Sequence, residues 1–172
     1  GMSDSASLDN TVEFFVKSGM SLPHTLAMLI PESYGEKDLL SNRIKSFYEY
    51  HSIFMEPWDG PAAVMFSDGH YAGGLLDRNG LRPARYAITK NGMLVLASET
   101  GVLDIDSSII TEKGRLQPGK MLLVDLDDGR IISNNEIKST LAEEHPYREW
   151  LQKNLVVLND IHSGRKLKHS ID

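Results

Sequence analysis

The sequence predicts an α+β protein, and three observations carry the prediction. Apolar residues recur at helical spacing through the first third of the chain. From Gly60 onward they fall into short runs joined by Asp68-Gly69, Asn91-Gly92 and Asp128-Gly129, the pairs that favour two-residue hairpin turns. After Ser133 the helical spacing returns. Consecutive hairpins make antiparallel sheet rather than alternating βαβ units.

Each element has its own signal. Leu8, Val12, Phe15 and Val16 mark a first helix, starting at the polar Ser7 and Asp9 and ending at Gly19. Ser21 caps a second, short helix with Pro23 in its first turn, where no amide donor is needed, and Pro31 follows Leu26, Leu29 and Ile30. The third starts near Lys37 and keeps an apolar stripe through Leu40, Ile44, Phe47, Tyr48, His51 and Phe54 until Pro57. Three hairpins follow: "PAAVMFS" with "HYAGGLL", "RYAITK" with "MLVLAS", and "KMLLVDL" with "RIIS". The stretch from Glu99 to Lys120 gives a mixed signal. "AAVMF" and "MLVLA" are apolar on both alternating faces, which predicts strands covered on both sides. Asn134 or Asn135 caps a further helix with Ile137 and Leu141 inward, and Pro146 starts a last one before Trp150 and Leu151.

Bulk properties narrow the function. A chain of 172 residues with 41% hydrophobic and 24% charged residues is long enough for one domain with a sizeable core. A formal charge of −6 with scattered basic residues argues against a nucleic-acid partner, since phosphate binding needs clustered positive charge. There is no cysteine, which removes disulfides, thiolate metal sites, iron–sulfur ligation and a Cys nucleophile from this stretch. Neither a signal peptide nor a bilayer-length apolar run is legible, so no membrane partner is expected and the cytoplasm is the expected compartment. Gly1-Met2, in place of an initiating Met, reads as an expression scar, and the basic "SGRKLKHSID" as a linker or tail.

No complete catalytic set emerges from residue types alone. The six histidines, 24, 51, 70, 145, 162 and 169, show no metal-ligand spacing and read as structural or exposed. "DLDDGR" opens like a calcium loop, but its Gly falls one place early and no Glu closes it, so a hairpin turn is the better reading. Ser3, Ser5 and Ser7 lie near Asp4 without a base beside them. The specific feature is the corner "GGLLDRNGLRPARYAI", which sets three charges, an Asn-Gly pair and an Arg-Pro step between two apolar runs.

"LLDRNGLRPARY", followed by "LVLASETGVLD" and "GRLQPGKMLLVD", resembles the second half of class II glutamine amidotransferase domains, of the N-terminal nucleophile hydrolase superfamily. The corner at Asp77 to Pro83, the Ala97-Ser98-Glu99 strand end and the Pro118-Gly119 turn occur in the family's order. "FYEYHSIFMEPWDGPAAVMFSDG" and "HPYREWL" look like glutamate synthase large subunits rather than asparagine synthetases or amidophosphoribosyltransferases.

The resemblance implies part of a four-layer αββα sandwich, with residues 3–154 the C-terminal portion of the amidotransferase domain and 155–172 a linker toward a following domain, or a tail. Ser3-Asp4-Ser5 matches the family's Ser-Asp step, whose Asp binds the α-amino group of glutamine, so Asp4 is the expected glutamine contact. A carboxylate suits an ammonium through charge-assisted hydrogen bonds. The plain alternative is that Asp4 merely caps the first helix.

The family's nucleophile is an N-terminal Cys, absent here, and its oxyanion Asn-Gly and Arg-bearing loop precede the Ser-Asp step. No catalytic residue is therefore expected in this stretch, which alone should not hydrolyse glutamine. Asn79-Gly80 lies after that step and is given a structural role. Ser3, Asp77, Arg78, Asn79, Gly80, Arg82, Pro83 and Glu99 are expected as scaffold near the site, with Asp77, Arg78 and Arg82 pairing locally. The implied parent hydrolyses glutamine and delivers ammonia for glutamate formation from 2-oxoglutarate. Its FMN and iron–sulfur cluster belong to later domains, and its other partners are the rest of the same chain and a small NAD(P)H-oxidising subunit or ferredoxin. Truncation would leave apolar sheet surface open and favour self-association. Two alternatives stand beside this: an amidotransferase serving another acceptor, and a non-catalytic interaction module.

Overall fold

The computed structural model describes residues 3–34 and 40–156. Within them the chain forms helices α1 (Asp4–Lys17), α2 (Leu22–Leu29) and α3 (Asn42–Ser52). Strands β1 (Ala63–Ser67), β2 (Tyr71–Leu76), β3 (Arg85–Thr89), β4 (Leu94–Ala97), β5 (Ile110–Arg115), β6 (Met121–Asp125) and β7 (Arg130–Ile132) follow, then α4 (Asn134–Glu143) and α5 (Tyr147–Asn154). The α+β class and the three hairpins are as the sequence predicts.

Two antiparallel sheets result, one in the order β1-β2-β6-β7 and one in the order β4-β3-β5. Period-two alternation gives the first sheet two working faces. Leu75, Met121 and Leu123 turn toward the helices and share a core with Leu26, Leu29, Phe47, Tyr48, Ile137, Leu141 and Tyr147. Leu76 and Leu122 turn the other way and meet Leu96 of the second sheet, Ala84 and Leu116. Gly74 permits this approach, because a Cβ there would stand 2.6 Å from Leu96 Cδ2. The order is thus helices, sheet, sheet.

Several boundaries differ from expectation. Ser3, not Ser7 or Asp9, caps α1: its extended backbone aims Oγ at the Ala6 amide, 3.3 Å away. Ser21 and Ser41 cap α2 and α3 in the same way, at His24 N and Ile44 N. The expected start of α3 near Lys37 lies outside the described residues. Ser133 caps α4, which leaves the Asn134 side chain to accept from Met121 N at 3.1 Å and tie α4 to β6. The mixed stretch contains β5, whose charged residues Glu112, Lys113 and Arg115 hide its strand character. β1 is covered on one side only: Val64 and Phe66 pack on the helical core, while Ala63, Met65 and Ser67 are exposed, Met65 at 47%; β4 is half-buried along its whole length.

Candidate functional site

Because Ser3 supplies the cap, Asp4 is the first helical residue rather than the cap, and its carboxylate sits at the positive end of α1. Asp4 is exposed and makes no hydrogen bond or ion pair among the described residues. It borders an open groove of about 290 Å³. One wall is the α1 face Ser7, Leu8 and Thr11, and the other is Leu29 of α2 with Met55, Glu56, Trp58 and Asp59 from the segment after α3. Trp58 is held there by its amide, which donates to the Leu29 carbonyl at 2.7 Å, and by its indole N–H, which donates to the Gly60 carbonyl at 3.1 Å. The Asp4 and Glu56 carboxylates, both unpaired among the described residues, together with Leu29, Met55 and the Trp58 indole, suit a small ligand that carries an ammonium.

The corner after β2 touches this groove at one point. Arg78 donates to Asp59 Oδ1 at 3.4 Å, and Asp59 lines the groove. The expected pairing of Asp77 with Arg78 and Arg82 is not what forms. Asp77 is buried and spends its carboxylate on backbone amides: Oδ1 accepts from Ala62 N at 2.9 Å, and Oδ2 accepts from Asn79 N at 2.8 Å and Gly80 N at 3.3 Å. A short acceptor two and three residues before the Asn79 and Gly80 amides makes an Asx-type turn, which is a backbone device and needs no arginine. Arg82 and Pro83 are exposed, and Arg82 has no ion pair among the described residues. The Asn79 and Gly80 amides are consumed inside the turn, so they are not available to an oxyanion.

Glu99 is not brought to Asp4. It lines a separate pocket of about 460 Å³ against β3, β4 and β5, with Arg85, Lys113 and Arg115. Ser3 reaches the groove only through its cap.

Beneath the corner lies a charged cluster that residue pattern did not reveal. Gly119 N donates to the Asp77 carbonyl at 2.9 Å, and the Gly119 carbonyl accepts from Lys138 Nζ at 3.1 Å. Lys138 also ion-pairs with buried Glu32, which Lys120 reaches from the other side at 2.9 Å. Burial pushes the Lys138 ammonium down to about 8 despite the opposing pull of Glu32. Glu32 follows α2 and Lys138 lies on α4, more than a hundred residues away, so no local spacing could have announced the pair. Trp58 and Asp59 were within reach of sequence reasoning, since "PWDG" breaks the helical pattern with a bulky aromatic where only a turn is needed.

The family model for class-II glutamine amidotransferases matches residues 1–150. The chain belongs to the class II glutamine amidotransferases. This amidotransferase chain is 52% identical over 157 residues to the glutamate synthase [NADPH] large chain of Bacillus subtilis, covering 91% of this chain and 10% of that protein. It is 51% identical over 158 residues to the ferredoxin-dependent glutamate synthase of Cyanidium caldarium, covering 91% and 10%, and 46% identical over 162 residues to the glutamate synthase [NADH] of Schizosaccharomyces pombe, covering 94% and 8%. The amidotransferase chain thus spans about a tenth of the length of the curated relatives it matches. Among the described residues no helix is long and apolar enough to cross a membrane, and no group of His, Asp and Glu is arranged to hold a metal ion.

Proposed function

We propose that residues 3–154 form the C-terminal portion of the glutamine-hydrolysing domain of a glutamate synthase large chain, that 155–172 lead toward the following domain, and that Asp4 binds the α-ammonium group of glutamine. The observation that carries the assignment of Asp4 is its unpaired carboxylate at the groove. A carboxylate already engaged in a cap or an ion pair would offer little to a ligand, whereas Asp4 keeps all its acceptor sites among the described residues. The ammonium of glutamine would add a charge-assisted contact that a simple amide lacks, so Asp4 selects an amino acid.

Hydrolysis itself needs a nucleophile that this sequence does not contain. In the proposed parent, an N-terminal Cys attacks the glutamine amide carbon, ammonia leaves, and water releases glutamate from the thioester. The ammonia then serves glutamate formation from 2-oxoglutarate. The 172-residue chain alone is expected to be inactive. With no cysteine it cannot ligate an iron–sulfur cluster, so that cluster and FMN are assigned to other parts of the parent, which is placed in the cytoplasm. The electron donor is not encoded here: relatives named for NADPH, ferredoxin and NADH match this stretch at 52, 51 and 46% identity.

The test is glutamine-dependent turnover of the parent chain with Asp4→Ala and Asp4→Asn, across glutamine concentration. We expect kcat/KM for glutamine to fall by about 10- to 150-fold, the worth of a charged hydrogen bond, with ammonia-dependent synthesis preserved. Unchanged glutamine kinetics would remove Asp4 from the pocket. A wild-type parent without any glutaminase activity would favour a non-catalytic module that keeps the scaffold.

A further inference from the structure

His24 and His51 are 27 residues apart in sequence, yet their Nε2 atoms lie 2.8 Å apart inside the helical layer. Both rings are buried, at 6% and 7% exposure. His51 Nδ1 stands 2.9 Å from the Phe47 carbonyl oxygen, and His24 Nδ1 stands 2.7 Å from Glu144 Oε2. The chain Glu144–His24–His51 therefore links the C-cap of α4 to α2 and α3. The titratable groups that face it are His145, next to Glu144, Tyr50 on α3 and Tyr147 on α5, the last two with rings 5.4 Å from the His51 ring.

Proton counting sets what this chain can hold. A carbonyl oxygen only accepts, so His51 Nδ1 carries a proton and donates to Phe47. The space between the two Nε2 atoms has room for one proton, because two N–H groups pointed at each other across 2.8 Å would clash and repel. A third proton has a place between His24 Nδ1 and Glu144. The folded pair thus holds three ring protons at most, a single positive charge opposite Glu144. In the unfolded chain both rings titrate near the ordinary value of about 6.5 and take up four. The electrostatics run the same way. Burial holds both imidazoles below their usual range, with His51 down to about 4. Glu144 opposes this at His24, the Phe47 carbonyl opposes it at His51, and His145 adds to it at both.

We propose that the His24–His51 pair is an acid-labile lock between α2 and α3, closed while the pair carries no more than one charge and opened when acidification forces a second proton onto it. Groups with a folded pKa depressed below the unfolded value bind fewer protons in the folded state, so for these histidines stability is full above about 6.5 and is lost as pH falls. The lock has a local consequence. The His51 carbonyl accepts from Phe54 N at 3.1 Å and from Met55 N at 3.0 Å, which starts the segment that carries Trp58, and Trp58 N is bonded to Leu29 at the far end of α2. Opening the lock loosens Leu29, Met55 and Trp58, the wall of the groove opposite Asp4. That this would weaken glutamine binding rests on the assignment of the groove; the lock itself does not.

The test is nitrogen-15 imidazole NMR of the 172-residue chain between pH 8 and 4.5, with the unfolding equilibrium measured over the same range for wild type and His51→Gln. Gln keeps an acceptor for His24 but cannot take up a proton. We expect exposed His70, which Asp127 raises above the ordinary range, to protonate first, while one Nε2 of the buried pair stays unprotonated to about pH 5. The wild-type unfolding constant should rise by up to about tenfold per pH unit between pH 6 and 5 relative to His51→Gln. Independent titration of both rings in the ordinary range would overturn the lock, as would identical pH slopes in the two proteins. If His51→Gln does not fold, the wild-type imidazole titration decides alone. None of these readouts contains glutamine, so the lock and the assignment of the groove fail separately.

Discussion

Gly80 lies against Pro118: a Cβ built on Gly80 would stand 2.9 Å from the Pro118 Cα and closer still to its ring. The corner and the Pro-Gly turn, 38 residues apart by their numbers, are thus one packed unit. Gly80 also has a φ of +59°, which a side chain disfavours. Gly80→Ala is therefore expected to meet two penalties, together about 2–4 kcal/mol. Gly92→Ala has only the backbone penalty, about 1 kcal/mol, because its φ is +81° but nothing lies within 4 Å of the added Cβ. Urea unfolding of both variants separates the two terms, and equal losses would show that the Pro118 contact adds nothing.

The same unit sets Asp77 apart from its charged neighbours. Asp77→Ala strips the Ala62 and Asn79 amides of their acceptor and leaves Gly80 N only the backbone carbonyl of residue 77, with an expected loss of about 2–4 kcal/mol. Asp77→Asn keeps one carbonyl oxygen and should fall between that and wild type. Arg82→Ala should stay within about 0.5 kcal/mol, since the side chain is exposed and unpaired among the described residues. Thermal unfolding of the three variants checks this order, and a larger loss at Arg82 than at Asp77 would reverse the roles argued for them.

What the sequence made legible follows the range of the interaction. The hairpins at Asp68-Gly69, Asn91-Gly92 and Asp128-Gly129 and the Ser21 cap of α2 depend on neighbours a few residues away, and they formed, although the loops hold four or five residues instead of the two expected, with only the Gly of each pair at positive φ. β5 escaped because its outward positions are charged and its alternation carries no apolar signal. The cap of α1 was misplaced by a few residues because Ser3, Ser5 and Ser7 are equivalent as residue types, and only backbone geometry selects Ser3. Asp4 became a candidate through resemblance alone; its lack of a partner among the described residues and the groove wall at Trp58 needed coordinates. The pairs Glu32–Lys138 and His24–His51 join elements far apart in sequence, where periodicity is silent.

Glu32–Lys138 also gives a prediction at alkaline pH. Lys138 is buried at 6% exposure and its ammonium is pushed down to about 8, by burial first, with Lys120 adding to the effect and Glu32 opposing it. The unfolded chain holds its lysine proton to about 10.4, so between pH 8 and 10 the unfolded state binds more protons at this site than the folded one. Stability must then rise with pH in that window, by up to about tenfold per pH unit in the folding constant. The rise ends near pH 10. Tyr48 and Tyr147 are both raised by burial, Tyr147 to about 12, so above about pH 10 their phenols ionise first in the unfolded chain and draw the equilibrium toward it. Lys138→Met is expected to abolish the rise between pH 8 and 10 and leave the fall above it. Denaturant unfolding at a series of alkaline pH values reads both limbs. A wild-type profile flat from pH 8 to 10 would mean that Glu32 holds the Lys138 proton as firmly as water does, and that burial is not what governs this lysine.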